Sequence, residues 1–120
     1  MKTLKRSKCS ILPLVLKGKW YDMIDSGVKK AEYREVKPYW EKRIRKWLHK
    51  GHESDFSNEW DFPALVVTFS RGYKKPGMAF LVECCEHLVG WERSNLKTDW
   101  GEPAIPHYRI WLGERVNLED

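Results

Sequence analysis

The residues best suited to chemistry lie in one short run, Gly27 to Arg34, GVKKAEYR. It has the form G-x-K-x-x-E-x-R. Gly27 lets the chain turn where other residues are strained, and Lys29 leaves from that turn. Glu32 and Arg34 are two apart on an expected strand, so they project from one face, about 7 Å apart along it. A Lys, a carboxylate and an Arg converging at a turn can recognise a phosphate or a base edge. They can also support acid–base chemistry, with a desolvated Lys29 as the base. The plainest alternative is an ordinary Glu32–Arg34 ion pair on an exposed strand, which contributes little. Because Glu32 and Arg34 are charged, the packing face of this strand is expected to be that of Ala31 and Tyr33.

The elements that must position this run can be read around it. Ile11 to Leu16 reads as a strand, and Pro13 moves it to an edge position or marks a bulge. Lys19 to Ser26 reads as a short helix, with Trp20, Met23 and Ile24 on one face. Gly27 then stands where a helix ends in a left-handed residue. Ala31 to Val36 alternates as a strand does. Pro38 opens a second helix at a position it tolerates. There Trp40, Ile44, Trp47 and Leu48 share a face and Lys42, Arg43, Arg45 and Lys46 fill the other. Trp40 or Trp47 could stack a base, but the helical spacing favours the core. Gly51 to Pro63 is a polar loop. Ala64 to Ser70 is the clearest strand. Arg71 to Gly77 is a turn, Met78 to Leu88 a long strand, Gly90 to Pro106 a loop and His107 to Leu112 a last strand.

Five strands and two short helices near the N-terminus predict an α+β fold. A small mixed β-barrel, partly closed, carries so many strands in so short a chain without leaving long edges. The 120 residues leave room for one domain. Seven tryptophans provide large packing units for it.

Composition bounds the partners. No apolar run approaches the roughly 20 residues of a membrane helix, and no signal peptide is read at the start. Three cysteines, Cys9, Cys84 and Cys85, lack a metal-binding spacing. Free thiols in a reducing cytoplasm are expected, with no metal and no cofactor. His49 and His52 have no third ligand at helical spacing. Residues 1–50 carry 15 Lys/Arg against 5 Asp/Glu, while residues 51–120 carry 7 against 12. So basic a half suggests a polyanion, most simply nucleic acid; a solvated face with no partner is the alternative.

Several other residues are candidates by position. Lys17 and Lys19 flank the start of the first helix. Arg71 and Tyr73 follow the clearest strand. Glu83 lies mid-strand, where a buried carboxylate would need a partner such as Lys29 or Arg34.

The G-x-K-x-x-E-x-R run, with a short helix and a strand before it, resembles the signature of the ASCH domain family. All four motif residues match: Gly27, Lys29, Glu32 and Arg34. The likeness extends more loosely through Val66 to Tyr73 and the last strand, over most of the chain. It implies a bacterial protein with a PUA-like β-barrel and a cleft under the first helix that binds RNA or a modified nucleoside. One branch of the family removes the acetyl group of N-acetylated cytidine with a Lys, a Thr and a distant Glu. Lys29 matches that Lys, Glu32 stands where that branch has Thr, and Glu102 is the counterpart of the distant Glu. Other members resemble ribonucleases, for which Lys29, Ser70 and Tyr73 are the candidates here.

Three functions are therefore carried forward. The first is a cytoplasmic, monomeric module that binds RNA or one modified nucleoside or nucleotide, with Lys29 and Arg34 as contacts. The second is a metal-free hydrolase acting on an acylated cytidine or an RNA phosphodiester. In it Lys29 is the base, Glu32 or Glu102 passes the proton and Arg34 stabilises charge. The third is a protein-interaction module in which the motif stabilises the fold. That third reading expects Lys29→Ala to lower the melting temperature, and the first two expect little loss.

Overall fold

The computed structural model describes residues 1–52, 63–88 and 106–120. In chain order the elements are β1 (Lys2–Lys5), a single 3₁₀ turn (Arg6–Lys8), β2 (Cys9–Leu16), α1 (Gly18–Asp25), β3 (Ala31–Glu35), α2 (Pro38–His52), β4 (Ala64–Arg71), β5 (Met78–Leu88) and β6 (His107–Glu119). Among the described residues the fold is a small α+β one: a mixed six-stranded sheet with two α-helices.

The sheet runs β1-β6-β5-β4-β2, with β3 also on β6. Strand β6 is the spine. Along one edge it pairs antiparallel with β5, from Leu88↔His107 to Ala79↔Val116. On its other edge two strands follow one another. β3 pairs antiparallel from Glu35↔His107 to Ala31↔Trp111, and β1 pairs parallel from Lys2↔Val116 to Lys5↔Glu119. β4 pairs antiparallel with β5 and parallel with β2, from Cys9↔Ala64 to Leu16↔Arg71.

The expected barrel is not formed: the sheet stays open. Closure would need a ladder between β2, which ends the path, and β3. Pro13 removes a donor from β2, and a side chain spans part of the gap. The Arg34 guanidinium donates to the Val15 carbonyl at 3.3 Å. The Trp47 indole N–H instead ties α2 to the paired strands β2 and β4, reaching the carbonyls of Ser10 (2.9 Å) and Val66 (3.2 Å).

Alternation decides which residues fill the core. Leu12, Leu14 and Leu16 on β2 stand opposite Val67, Phe69 and Arg71 on β4. The three leucines, Val67, Phe69, Phe80 and Ile110 meet Ile24 of α1 and Ile44 and Trp47 of α2. Burial of these side chains is the main stabilising term, at about 1.5–3 kcal/mol each. On the other side of the sheet Cys9, Val66, Ala79 and Val116 form a smaller cluster.

Candidate functional site

The end of α1 delivers the motif. Gly27 has φ of 82°, the left-handed region that glycine enters at no steric cost. Its N–H donates to the Ile24 carbonyl at 3.1 Å, and the Lys29 N–H donates to the Met23 carbonyl at 2.9 Å. The chain reverses there and enters β3.

In β3 the charged face is the core face. Glu32 stands opposite Ile110 and Arg34 opposite Tyr108, and both of those partners belong to the main core. Ala31 and Tyr33 point the other way and pack with Leu88 and Trp111. The expectation that Ala31 and Tyr33 pack is met, but Glu32 is buried as well, so this short strand is covered on both faces.

Lys29, Glu32 and Arg34 converge. The Lys29 ammonium lies 3.6 Å from Glu32 Oε1, with side chains 0 % and 3 % exposed. Arg34 Nη1 lies 3.4 Å from the same oxygen, which also accepts the Tyr33 backbone N–H at 2.8 Å. Lys29 Nζ sits 4.8 Å from the centre of the Tyr33 ring and 5.8 Å from that of Trp20, distances at which a ring face attracts a cation. Two cations thus share one carboxylate. Glu32 Oε2 is buried and accepts no hydrogen bond, a state that costs free energy unless something donates to it.

Arg34 connects this cluster to the surface. Its guanidinium lies 5.0 Å from the Trp40 ring centre and bonds the Val15 carbonyl. Val15 and Trp40 both line a groove of about 640 Å³ that also takes in Lys17, Tyr39, Arg43 and Tyr73. A second cleft lies on the Lys29 side, with Gly27, Lys30, Glu83, Trp111 and Gly113 around it.

The other predicted residues are distributed as follows. Lys17 and Tyr73 join the Arg34-side groove. Lys19 is exposed, its ammonium 4.9 Å from the Trp20 ring centre. Arg71 pairs with Asp22 of α1 at 2.5 Å and is engaged in holding the helix to β4. Ser70 is buried, but it alternates with Phe69 and so projects from the face opposite the main core and the Glu32 carboxylate. Glu83 is exposed and needs no ionic partner. Glu102 lies outside the described residues, as does most of the Gly51 to Pro63 loop. Trp47 is core, as its spacing indicates, while Trp40 is half-buried beneath Arg34.

Sequence reasoning missed a second charged cluster on the Tyr33 side of the sheet. Glu86 accepts from Arg109 Nε at 2.8 Å and from the Trp111 indole N–H. The Arg109 hydrogen bond holds the Glu86 carboxyl below the ordinary carboxylate range, against a smaller opposing effect of burial. The alternation of Arg109 and Trp111 was visible; the opposed Glu86 is set only by the β5–β6 register. Next to it, burial pushes the Cys85 thiol up to about 11.

Among the described residues no three His, Cys, Asp or Glu side chains stand together as a metal site. Among them, too, no helix is long and apolar enough to cross a membrane. No family model matches the chain, and no curated protein or solved structure matches it either.

Proposed function

We propose that this chain binds RNA through single nucleotides, with a base held in the groove beside Arg34. The observation that carries the reading is where the apolar surface is left uncovered. Of the five large hydrophobic residues that stay exposed among the described residues, three (Val15, Tyr39 and Tyr73) line this one groove. Tyr73 is fully exposed and Tyr39 is 58 % exposed. Rings presented to solvent beside cations are the means by which proteins stack unpaired bases, at about 1–3 kcal/mol per base. Behind the groove Arg34 offers a planar fork suited to a phosphate or a base edge. Glu32, itself buried, holds that guanidinium in place from behind. The likeness of Gly27 to Arg34 to the ASCH signature points the same way.

The hydrolase reading receives less support. The Lys29 side chain has no exposed surface and is engaged with Glu32, so it does not meet a substrate in this arrangement. Glu32 and Lys29 hold Arg34 from behind and act as positioning residues.

The test is calorimetric titration of cytidine, N4-acetylcytidine, uridine, guanosine and their 5′-monophosphates into wild type, Tyr73→Ala and Arg34→Lys. At least one of these ligands is expected to bind wild type and to lose about tenfold or more with either variant. Binding that neither variant weakens, or no binding of any ligand, would refute the reading. Loss of the acetyl group during titration would transfer the site to the hydrolase reading.

A further inference from the structure

We infer that the exposed face of α2 and the adjoining flank of β2 form a track for the phosphate backbone of single-stranded RNA, leading away from the nucleotide groove. The inference rests on the function proposed above for its polyanion, but on different residues. A second groove, of about 540 Å³, runs between β2 and α2. Its helix side carries Lys42, Arg43, Lys46 and Lys50, and its strand side Ile11 and Pro13. Pro13, Tyr39 and Arg43 also line the nucleotide groove, so the two grooves are continuous.

The cations of this groove are not used within the fold. All four are exposed. Among the described residues none of these four forms an ion pair, whereas the neighbouring Arg45 pairs with Glu41 at 2.7 Å. Arg43 lies over the Tyr39 ring, 4.7 Å from its centre, a contact that leaves its charge unneutralised. Lys42, Lys46 and Lys50 follow one another at i, i+4 and i+8, a spacing at which like charges repel and destabilise a helix. A bound polyanion relieves that repulsion. From Lys42 to Lys50 the helix rises about 12 Å, enough to face about four phosphates at the spacing of about 3.4 Å in a stacked strand. The exposed tyrosines select a single strand, because a duplex keeps its base faces covered.

The probe is a fluorescein-labelled decauridylate, followed by anisotropy between 50 and 200 mM NaCl. Neutralising about four phosphates of a single strand gives a slope of log K against log salt near −3, or a loss of about 50-fold over that range. Lys42→Gln/Lys46→Gln is expected to halve the slope. Lys2→Gln/Lys30→Gln removes the same charge from exposed positions that line neither groove, and is expected to leave the slope unchanged. Equal slopes for all three proteins, or equal losses in both double variants, would overturn the track. Binding to phosphatidylserine vesicles without binding to the decauridylate would overturn it in favour of a membrane surface. Nucleotide titration of the Lys42→Gln/Lys46→Gln variant separates the two proposals. If nucleotides still bind while the decauridylate slope equals wild type, the track fails and the nucleotide groove stands; if no protein binds a nucleotide or the decauridylate, both fail.

Discussion

Replacing Glu32 by glutamine should destabilise this protein more than removing the lysine it pairs with. Glu32 Oε1 lies 3.6 Å from the Lys29 ammonium and 3.4 Å from the Arg34 guanidinium. At an effective dielectric of about 20 each contact has a gross Coulomb energy of about 4–5 kcal/mol. Desolvation of both partners offsets most of that gain, so the net contribution of the pair is small. The asymmetry appears on substitution. Glu32→Gln removes the buried negative charge that both Lys29 and Arg34 face, a change of the kind that costs about 3–5 kcal/mol. Lys29→Met leaves Glu32 with Arg34 and the Tyr33 N–H, and places an apolar chain of similar length between Trp20 and Tyr33. Its expected cost is about 1.5 kcal/mol or less. In a domain of this size about 1 kcal/mol shifts the melting temperature by about 4 °C, so Glu32→Gln should melt roughly 12–20 °C below wild type. The assay is urea unfolding of both single variants and the double variant at pH 7. The double variant should be more stable than Glu32→Gln alone, with a coupling of about 2 kcal/mol. Equal losses from the two single variants, or a coupling under about 0.5 kcal/mol, would refute the assignment of a buried cation that depends on Glu32. Either way, burial makes a stability loss expected whatever the protein binds, so melting temperature does not separate a structural motif from a binding one.

Two further predictions concern the opposite side of the sheet. The Glu86 carboxyl is lowered by Arg109, so its stabilisation is fully present above the unfolded carboxylate pKa and is lost as pH falls through the lower folded value. Because the pair is partly exposed, the effect should be about 1 kcal/mol or less, read as a smaller acid-induced drop in urea midpoint for Glu86→Gln than for wild type; an identical drop would remove Glu86 from acid lability. Cys84 is exposed, Cys9 is buried, and the Cys85 thiol is pushed up to about 11. A disulfide reagent at pH 8 should therefore modify one thiol rapidly, and Cys84→Ser should abolish that fast phase; a fast phase that survives the substitution would contradict the placement.

Most elements were legible because each announces itself locally. Pro38 and the Ile44/Trp47 spacing fixed α2, and Met78 to Leu88 is apolar enough to read as a strand throughout. The strand β1 was not legible, since Lys2 to Lys5 holds one apolar residue, Leu4, and pairs only with β6. The second half of β6, Gly113 to Glu119, was missed for the same reason: its charges hide the alternation of Val116 and Leu118. With these pieces unseen, five strands suggested closure, whereas β1 and β3 sharing one edge of β6 leave the sheet open. The motif Lys29, Glu32 and Arg34 was found as a unit, but its burial was not, because charge alone assigns such a face to solvent. Arg43 was legible on the basic face of α2, which reads equally as a phosphate track or a solvated face, whereas Tyr39 gave no sequence signal.

The place of β6 has a consequence for the order of folding. Among the described residues, strands β1 and β3 hydrogen-bond to no strand other than β6. During synthesis both emerge long before their partner and remain without a ladder until His107 to Glu119 has left the ribosome. The Lys29–Glu32–Arg34 cluster is then still in water, because Ile110 and Tyr108, opposite it on β6, have yet to arrive. Desolvation of the charges therefore coincides with the last long-range closure of the chain. Such late, non-local pairing places this domain among the slower folders of its size and makes the finished sheet, rather than any N-terminal fragment, the smallest unit able to bury its own ions.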